Sequence, residues 1–227
     1  MVDCAKAKSV VALSLRALDL AGALLKVKEA APKRNFNQSV ELIVKLRDIN
    51  LKSPESRINK AVELPNPPRK AVKICAIGGG DFALRAKAAG ADLAMAREEL
   101  ERLAGDKKAI KKLAEEYDFF IAEAPLMPLI GKALGSVLGP RGKMPTPVPP
   151  NAPLEEALAK HRRTVRIRVK DQPLVQCSIG TEDMDPGAVA ENARAVLGAL
   201  EQSLQKGARN IESVRLKLTM GPSVKVV

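Results

Sequence analysis

Three stretches of the chain alternate apolar and polar residues. Val40, Leu42, Val44 and Leu46 alternate with Ser39, Glu41, Ile43 and Lys45; Val165, Ile167 and Val169 with Arg166, Arg168 and Lys170; Val214, Leu216 and Leu218 with Arg215, Lys217 and Thr219. A period of two sends successive side chains to opposite faces, so each stretch is expected as a half-buried strand. Between Val72 and Ala122 the pattern changes. An apolar run from Val72 to Ile77 is followed by a helical stretch after Asp81, a short apolar step near Leu93, a helix from Asp106 to Glu116 and a strand from Phe119 to Ala122. That order predicts an α/β unit with a parallel sheet. A long helix is predicted with Asp185 as N-cap, Pro186 at the first position, Val189, Val196, Leu200 and Leu204 inward, and Gly207 as stop. The apolar run from Val10 to Leu25 is broken by Arg16 and Asp19, too short and too charged to span a bilayer or serve as a signal-peptide core. Leu15, Leu18 and Leu25 recur there at helical spacing, which predicts an amphipathic helix packed on the domain.

Composition shifts at Pro65, Pro67 and Pro68 and again between Pro150 and Lys160. The outer segments, 1–66 plus 159–227, are therefore expected to build one discontinuous α+β domain, into which an α/β domain of residues 67–158 is inserted. Two chain crossings would form a hinge. At 227 residues the chain has room for both. Its formal charge of +12 points to a polyanionic partner, and without a lipid-seeking segment that partner is nucleic acid rather than a membrane surface. The charge is uneven: the insert holds 14 Lys+Arg against 12 Asp+Glu, while the split domain holds 24 against 14. The main RNA surface is therefore expected on the split domain.

Candidate chemistry elsewhere is thin. Gly78-Gly79-Gly80-Asp81-Phe82-Ala83 fits G-x-G-x-x-A after an apolar strand, with Glu98 about 20 residues on, the form of a dinucleotide fingerprint. A nucleotide-dependent enzyme using this loop is the alternative reading. Against it, Asp81 would set a carboxylate where a pyrophosphate meets helix N–H groups, and the insert has room for about one mononucleotide-binding half. A tight strand-to-helix turn fits better, and no affinity for NAD or ATP is expected. Lys143 suggests a Walker loop, but Val137 stands where glycine belongs, Met144 replaces the magnesium-holding hydroxyl and Pro145 blocks a following helix. Cys4, Cys75 and Cys177 are odd in number and far apart, indicating neither disulfides nor a metal knuckle, and Cys75 and Cys177 read as buried small hydrophobes. His161 is the only histidine and reads as a flank residue. Glu98, Glu99, Glu115 and Glu116, like Lys107, Lys108, Lys111 and Lys112, read as solvated helix faces, with phosphate contact as the alternative for the lysines. No catalytic pair, metal site or cofactor is expected.

Three strings carry the RNA argument. Leu126 to Pro150 sets Gly131, Gly135, Gly139 and Gly142 among Lys132, Arg141 and Lys143, then closes on prolines; it reads as a shaped basic loop and a secondary RNA contact through those three cations. Lys33-Arg34-Asn35-Phe36-Asn37-Gln38-Ser39-Val40-Glu41 joins two cations and the split domain's only aromatic to a strand start. Ser213 to Pro222 presents Ser213, Arg215, Lys217 and Thr219 on one strand face, followed by Met220 and the turn Gly221-Pro222. Short polar groups beside a glycine can approach a ribose 2′-OH closely. The sheet lacks the stacked aromatic pairs of single-strand readers, so structured RNA is the expected target. Each feature also has a plain structural reading: Phe36 could staple the first helix, Met220 could be core and Gly221-Pro222 could merely turn the chain.

These strings resemble those of the archaeal-type ribosomal protein L-one family. RNFNQSVEL is similar to that family's first RNA-binding segment, KLTMGP to its near-terminal one, and Leu126 to Pro150 to its second-domain signature, in matching order over nearly the whole chain. The resemblance implies a split α+β domain that binds the stalk of large-subunit rRNA and an inserted three-layer, Rossmann-like α/β domain that can swing. Carried over by motif, it implies RNA contacts at Phe36, Ser39, Glu41, Ser213, Thr219, Met220 and Gly221. Arg34 and Lys217 join them as neighbouring cations. Glu41 is expected to accept from a 2′-OH or a base amine. The resemblance further implies a cytoplasmic, ribosome-associated, non-enzymatic protein that helps release deacylated tRNA from the exit site and represses translation of its own mRNA. A soluble regulator acting off the ribosome is a second alternative. Asn37, where the family commonly has Thr, and the extended apolar start before Ser9 depart from the pattern.

Overall fold

The computed structural model describes residues 19–49, 58–68, 72–103, 105–149, 153–169 and 172–226. In chain order their strands are β1 (Ser39–Leu46), β2 (Asn59–Glu63), β3 (Ile74–Gly78), β4 (Leu93–Ala96), β5 (Phe119–Glu123), β6 (Thr146–Val148), β7 (Thr164–Arg168), β8 (Leu174–Thr181), β9 (Ile211–Leu218) and β10 (Val224–Lys225). The helices are α1 (Leu20–Ala30), α2 (Gly80–Ala88), α3 (Arg97–Leu103), α4 (Lys107–Glu116), α5 (Met127–Ala133), α6 (Gly135–Arg141), α7 (Leu154–Arg162) and α8 (Pro186–Ser203). They fall into two compact units, one of residues up to 70 and from 163 onward, the other of residues 71 to 162. Residues 159–162 continue α7 and so belong with the second unit.

The first unit is built on an antiparallel sheet in the order β10-β9-β1-β8, with β2 and β7 forming a separate antiparallel pair. One face of the larger sheet is buried: Val40, Leu42, Val44 and Leu46 of β1 join Val175, Cys177 and Ile179 of β8 and Val214, Leu216 and Leu218 of β9. α1 and α8 contribute Leu20, Leu24, Val27, Val189, Val196 and Leu200 to the same core. Burying such a side chain stabilises by roughly 1.5–3 kcal/mol, so a one-residue slip of β1, which would turn four of them outward, is excluded. The opposite face carries Ser39, Glu41, Lys45, Gln176, Ser178, Arg215 and Lys217. Two register shifts mark β1, one at Val40/Glu41 against β8 and one at Lys45/Leu46 against β9.

Asp185 caps α8 by accepting from the N–H groups of Gly187 and Ala188, with Pro186 at the first turn. The helix ends before Gly207, however: Leu204 turns extended, and Gly207, at φ +55°, opens a tight helical turn to Asn210. In α1 the buried residues are Leu20, Ala23, Leu24 and Val27, while Leu25, expected inward, is 51% exposed. Asp19 caps this helix from the Gly22 N–H, which sets its phase. Leu15, Leu18, Cys4, Pro150 and Lys170 lie outside the described residues.

The second unit holds an all-parallel sheet in the order β4-β3-β5-β6. Adjacent residues of each central strand serve opposite cores. Cys75, Ile77, Phe120 and Ala122 meet α3, α4, α5 and α6 on one face; Ile74, Ala76, Phe119 and Ile121 meet α2 and α7 on the other. The sheet is therefore a middle layer between helices.

The basic glycine segment is not a loop. Ile130, Leu134 and Leu138 recur four apart and are buried, which makes the segment helical as α5 and α6 and turns Gly131, Gly135 and Gly139 toward open space. Pro140 is accommodated next to the helix end, where Gly142, at φ +70°, closes α6. Pro147 sits in β6, an edge strand, where a missing N–H is tolerated.

Candidate nucleic-acid interface

The two strings of the first unit meet at one end of its sheet. Antiparallel pairing sets Val40 opposite Leu218 and Glu41 opposite Lys217. Beyond the last pair, the Ser39 N–H donates to Thr219 Oγ1 at 3.1 Å, while the Thr219 N–H and hydroxyl both donate to the Ser39 carbonyl, at 3.2 and 3.3 Å. Gln38, buried in the loop before β1, accepts from the Met220 N–H at 3.1 Å and donates from Nε2 to the Pro32 carbonyl at 3.2 Å. Its own carbonyl accepts from the Glu182 N–H at 2.8 Å, and the Asn37 side chain donates to Asp183. Four chain segments are thus bound at one point. Gly221 belongs there because a Cβ would come within 3.0 Å of the Ala31 Cβ.

This platform spends its backbone groups internally and leaves side chains outward. Phe36 is 52% exposed and Met220 is 53% exposed, so neither staples a helix nor enters the core. Arg34 is exposed in the same loop. Glu41 and Lys217 form a loose pair, with Lys217 Nζ 3.9 Å from Glu41 Oε2 and both side chains about a third exposed. Phe36, Ser39, Glu41, Lys217, Thr219, Met220 and Gly221 are brought together. Ser213 is not: it pairs with Lys45 six residues down the strand, about 20 Å from Thr219, and is buried to 8% exposure. Its partner Lys45 pairs there with Glu212 at 2.8 Å.

Gln38, Gln176 and Ser178 were not singled out from the sequence. Gln176 and Ser178 are exposed on β8 opposite Ile43 and Glu41, and their alternation with Val175 and Cys177 was the available signal. Gln38 gives no comparable signal, because its role depends on contacts across the fold.

The cations of the second unit's glycine segment divide. Lys132 is exposed on α5. Arg141 pairs with Glu115 at 2.9 Å. Lys143 donates to the carbonyls of Ala114 and Tyr117 at 3.0 and 2.8 Å, capping the C-terminal end of α4, where the helix dipole favours a cation.

The Gly78 to Ala83 turn is closed to phosphate, though not by Asp81, which points to solvent and pairs with Arg85. Instead the Gly79 N–H donates to the Glu123 carboxylate at 2.8 Å, and the Phe82 ring fills the space beside Gly78. Burial pushes the Cys75 and Cys177 thiols up to about 12, which keeps both protonated and inert. His161 lies against the Phe119 ring at 5.7 Å. Among the described residues there is no cluster able to hold a metal and no helix long and apolar enough to cross a membrane.

Residues 25–222 match the Ribosomal protein L1p/L10e family. The large ribosomal subunit protein uL1 of Thermofilum pendens is 50% identical over 220 residues, covering 94% of this chain and 97% of that protein. The proteins of the same name from Hyperthermus butylicus and Methanothermobacter thermautotrophicus are 52% and 48% identical, covering 88% and 90% of this chain and 93% and 97% of theirs.

Proposed function

The chain belongs to the Ribosomal protein L1p/L10e family, and from that premise we propose that it is a structural constituent of the large ribosomal subunit, not an enzyme, which binds the stalk region of large-subunit rRNA. The carrying observation is the end of the β1–β9 pair, where Phe36 and Met220 stand exposed on a platform tied by Gln38, Ser39 and Thr219. Exposed apolar side chains rigidly held among short polar groups suit unpaired bases and ribose hydroxyls of folded RNA. Phe36 stacks on a base, the Ser39 hydroxyl and the Glu41 carboxylate take 2′-OH or base amine donors, and Arg34 and Lys217 neutralise phosphates. The surplus of basic residues in the outer segments steers the RNA to this unit.

The same reading extends to the protein's work on the ribosome, in the cytoplasm. A stalk held in this way travels with the protein as deacylated tRNA leaves the exit site. A stalk-like fold in the protein's own messenger competes for the same surface, which represses its translation. Co-sedimentation with large subunits tests the first statement. Titration of a stalk RNA fragment tests the site: Thr219→Val and Met220→Asp should each weaken binding by about 1–3 kcal/mol while the fold persists, and unchanged affinity in both removes this surface from the reading.

A further inference from the structure

Charge order along the helices of the second unit singles out α4. α2 begins with Asp81 and ends with Arg85 and Lys87; α3 has Glu98 and Glu99 in its first turn, after an Arg97 that pairs with Glu101, and ends with Arg102; α7 begins with Glu155 and Glu156 and ends with Lys160, His161 and Arg162. Each order complements the helix dipole. α4 reverses it, with Lys107, Lys108, Lys111 and Lys112 in its first two turns, no basic residue in its last turn, and Glu115 and Glu116 at its end. Lys107 and Lys111, like Lys108 and Lys112, stand four residues apart, where like charges repel. All four are exposed, and their ammonium groups have no ion-pair or hydrogen-bond partner among the described residues. The acids at the other end are taken up internally, Glu115 by Arg141 at 2.9 Å and Glu116 by Lys73 at 3.2 Å.

Building on the RNA-binding reading above, we propose that this face of α4 is a second RNA-contact surface, which takes the sugar-phosphate backbone of structured RNA without reading its bases. The unit is otherwise close to charge balance, so the lysines are a local concentration and not part of a general field. Asp106 caps the helix start by accepting from the Lys108 and Ala109 N–H groups, so what a polyanion lying across the face relieves is the repulsion among the lysines themselves. Lysines are flexible point charges, suited to phosphates and poor at fixing base geometry. An acidic protein segment fits less well. The apolar groove of about 510 Å³ beside α4, lined by Leu93, Met95, Leu103 and Leu113, sets Glu99 and Glu116 against Arg102 and Lys112, so it offers an acidic segment no net positive charge, and of the four lysines only Lys112 reaches it. The surface also stands in place of Arg141 and Lys143, whose cations are committed within the unit.

The test uses the full chain, first saturated with unlabelled stalk RNA fragment and then titrated with a short labelled RNA duplex of unrelated sequence. The variant Lys107→Gln/Lys108→Gln/Lys111→Gln/Lys112→Gln should bind the duplex roughly tenfold more weakly, with a log–log salt slope shallower by about 3, while its stalk-fragment affinity stays within about twofold of the parent. Its thermal midpoint should not fall, because neutralisation removes repulsion, so lost binding cannot be ascribed to unfolding. Equal duplex affinity and slope in variant and parent overturn the proposal, as does tighter binding of poly-glutamate than of the duplex. Failure of the stalk-binding reading shows separately, as no binding in the first step, and the duplex titration is then read on the unsaturated chain.

Discussion

Two glycine turns at strand ends, one in each unit, come out chemically opposite. At Gly78 to Gly80 the strand β3 runs through glycines into α2, the element order of a phosphate loop, yet the Gly79 N–H is held by Glu123 and the Phe82 ring closes over Gly78. At Thr219 to Gly221 the backbone donors are also satisfied, by Ser39, Gln38 and Leu218, but Phe36 and Met220 are left facing outward. Glycine beside charge is therefore not a site in itself. What decides is which groups remain uncommitted once the turn has made its own hydrogen bonds, and whether they are donors, carboxylates or apolar side chains.

The most severe way to separate the two turns is Gly78→Val. A Cβ there would lie 2.1 Å from the Phe82 ring, so the second unit should lose about 3 kcal/mol in denaturant titrations, while the stalk RNA affinity proposed for the first unit should persist. Parallel loss of RNA binding would break the division of labour. At the other turn, Phe36→Ala should cost about 2 kcal/mol of RNA affinity, the scale of one base–aromatic stack, with no change in melting temperature because the ring is half exposed. A melting shift with unchanged affinity would make Phe36 a packing residue.

In their cores the units should behave alike. Among the described residues each buries one thiol, Cys177 in the first and Cys75 in the second, raised from 9.0 to about 12 by desolvation. Above pH 9 the unfolded chain releases these protons and the folded chain keeps them, so their contribution is whole below about pH 9 and is lost as pH climbs toward 12. At pH 10 each should cost about 1.4 kcal/mol. Cys75→Ala with Cys177→Ala should show a shallower decline between pH 8 and 10 by urea titration; identical slopes would mean that the thiols are not desolvated.

Elements whose pattern is set locally were legible in the sequence. Val40 to Leu46 and Val214 to Leu218 alternate because one face of the sheet is buried, and Asp185-Pro186 marks a helix start by its own chemistry. Leu126 to Pro150 misleads, since its glycines and prolines suggest a loop while Ile130, Leu134 and Leu138, buried on the β-sheet face, make it helical. Phe36, Ser39, Glu41, Lys217, Thr219 and Met220 were readable as strand-edge residues and do converge. Ser213 fails because sharing a strand face with Thr219 does not bring it near: it lies six residues along, about 20 Å away, and is buried there, while Gln38 and Glu123 act through partners 182 and 44 residues away.

The finest distinction between the turns is the charge of Glu123. Glu123→Gln keeps an oxygen that can accept from the Gly79 N–H, so stability should change by only about 1 kcal/mol, but it removes the negative charge facing the start of α2. If closure of the turn is steric as well as electrostatic, as the Phe82 ring against Gly78 indicates, the variant should still give no saturable calorimetric signal with ATP or NAD. The sheet offers a single strand-turn-helix of this kind on four strands, which leaves no second half for a dinucleotide. Saturable micromolar binding by Glu123→Gln, abolished by Gly80→Val, would show that one carboxylate alone separates this turn from a nucleotide loop, and the contrast between the two units would then rest on charge rather than on packing.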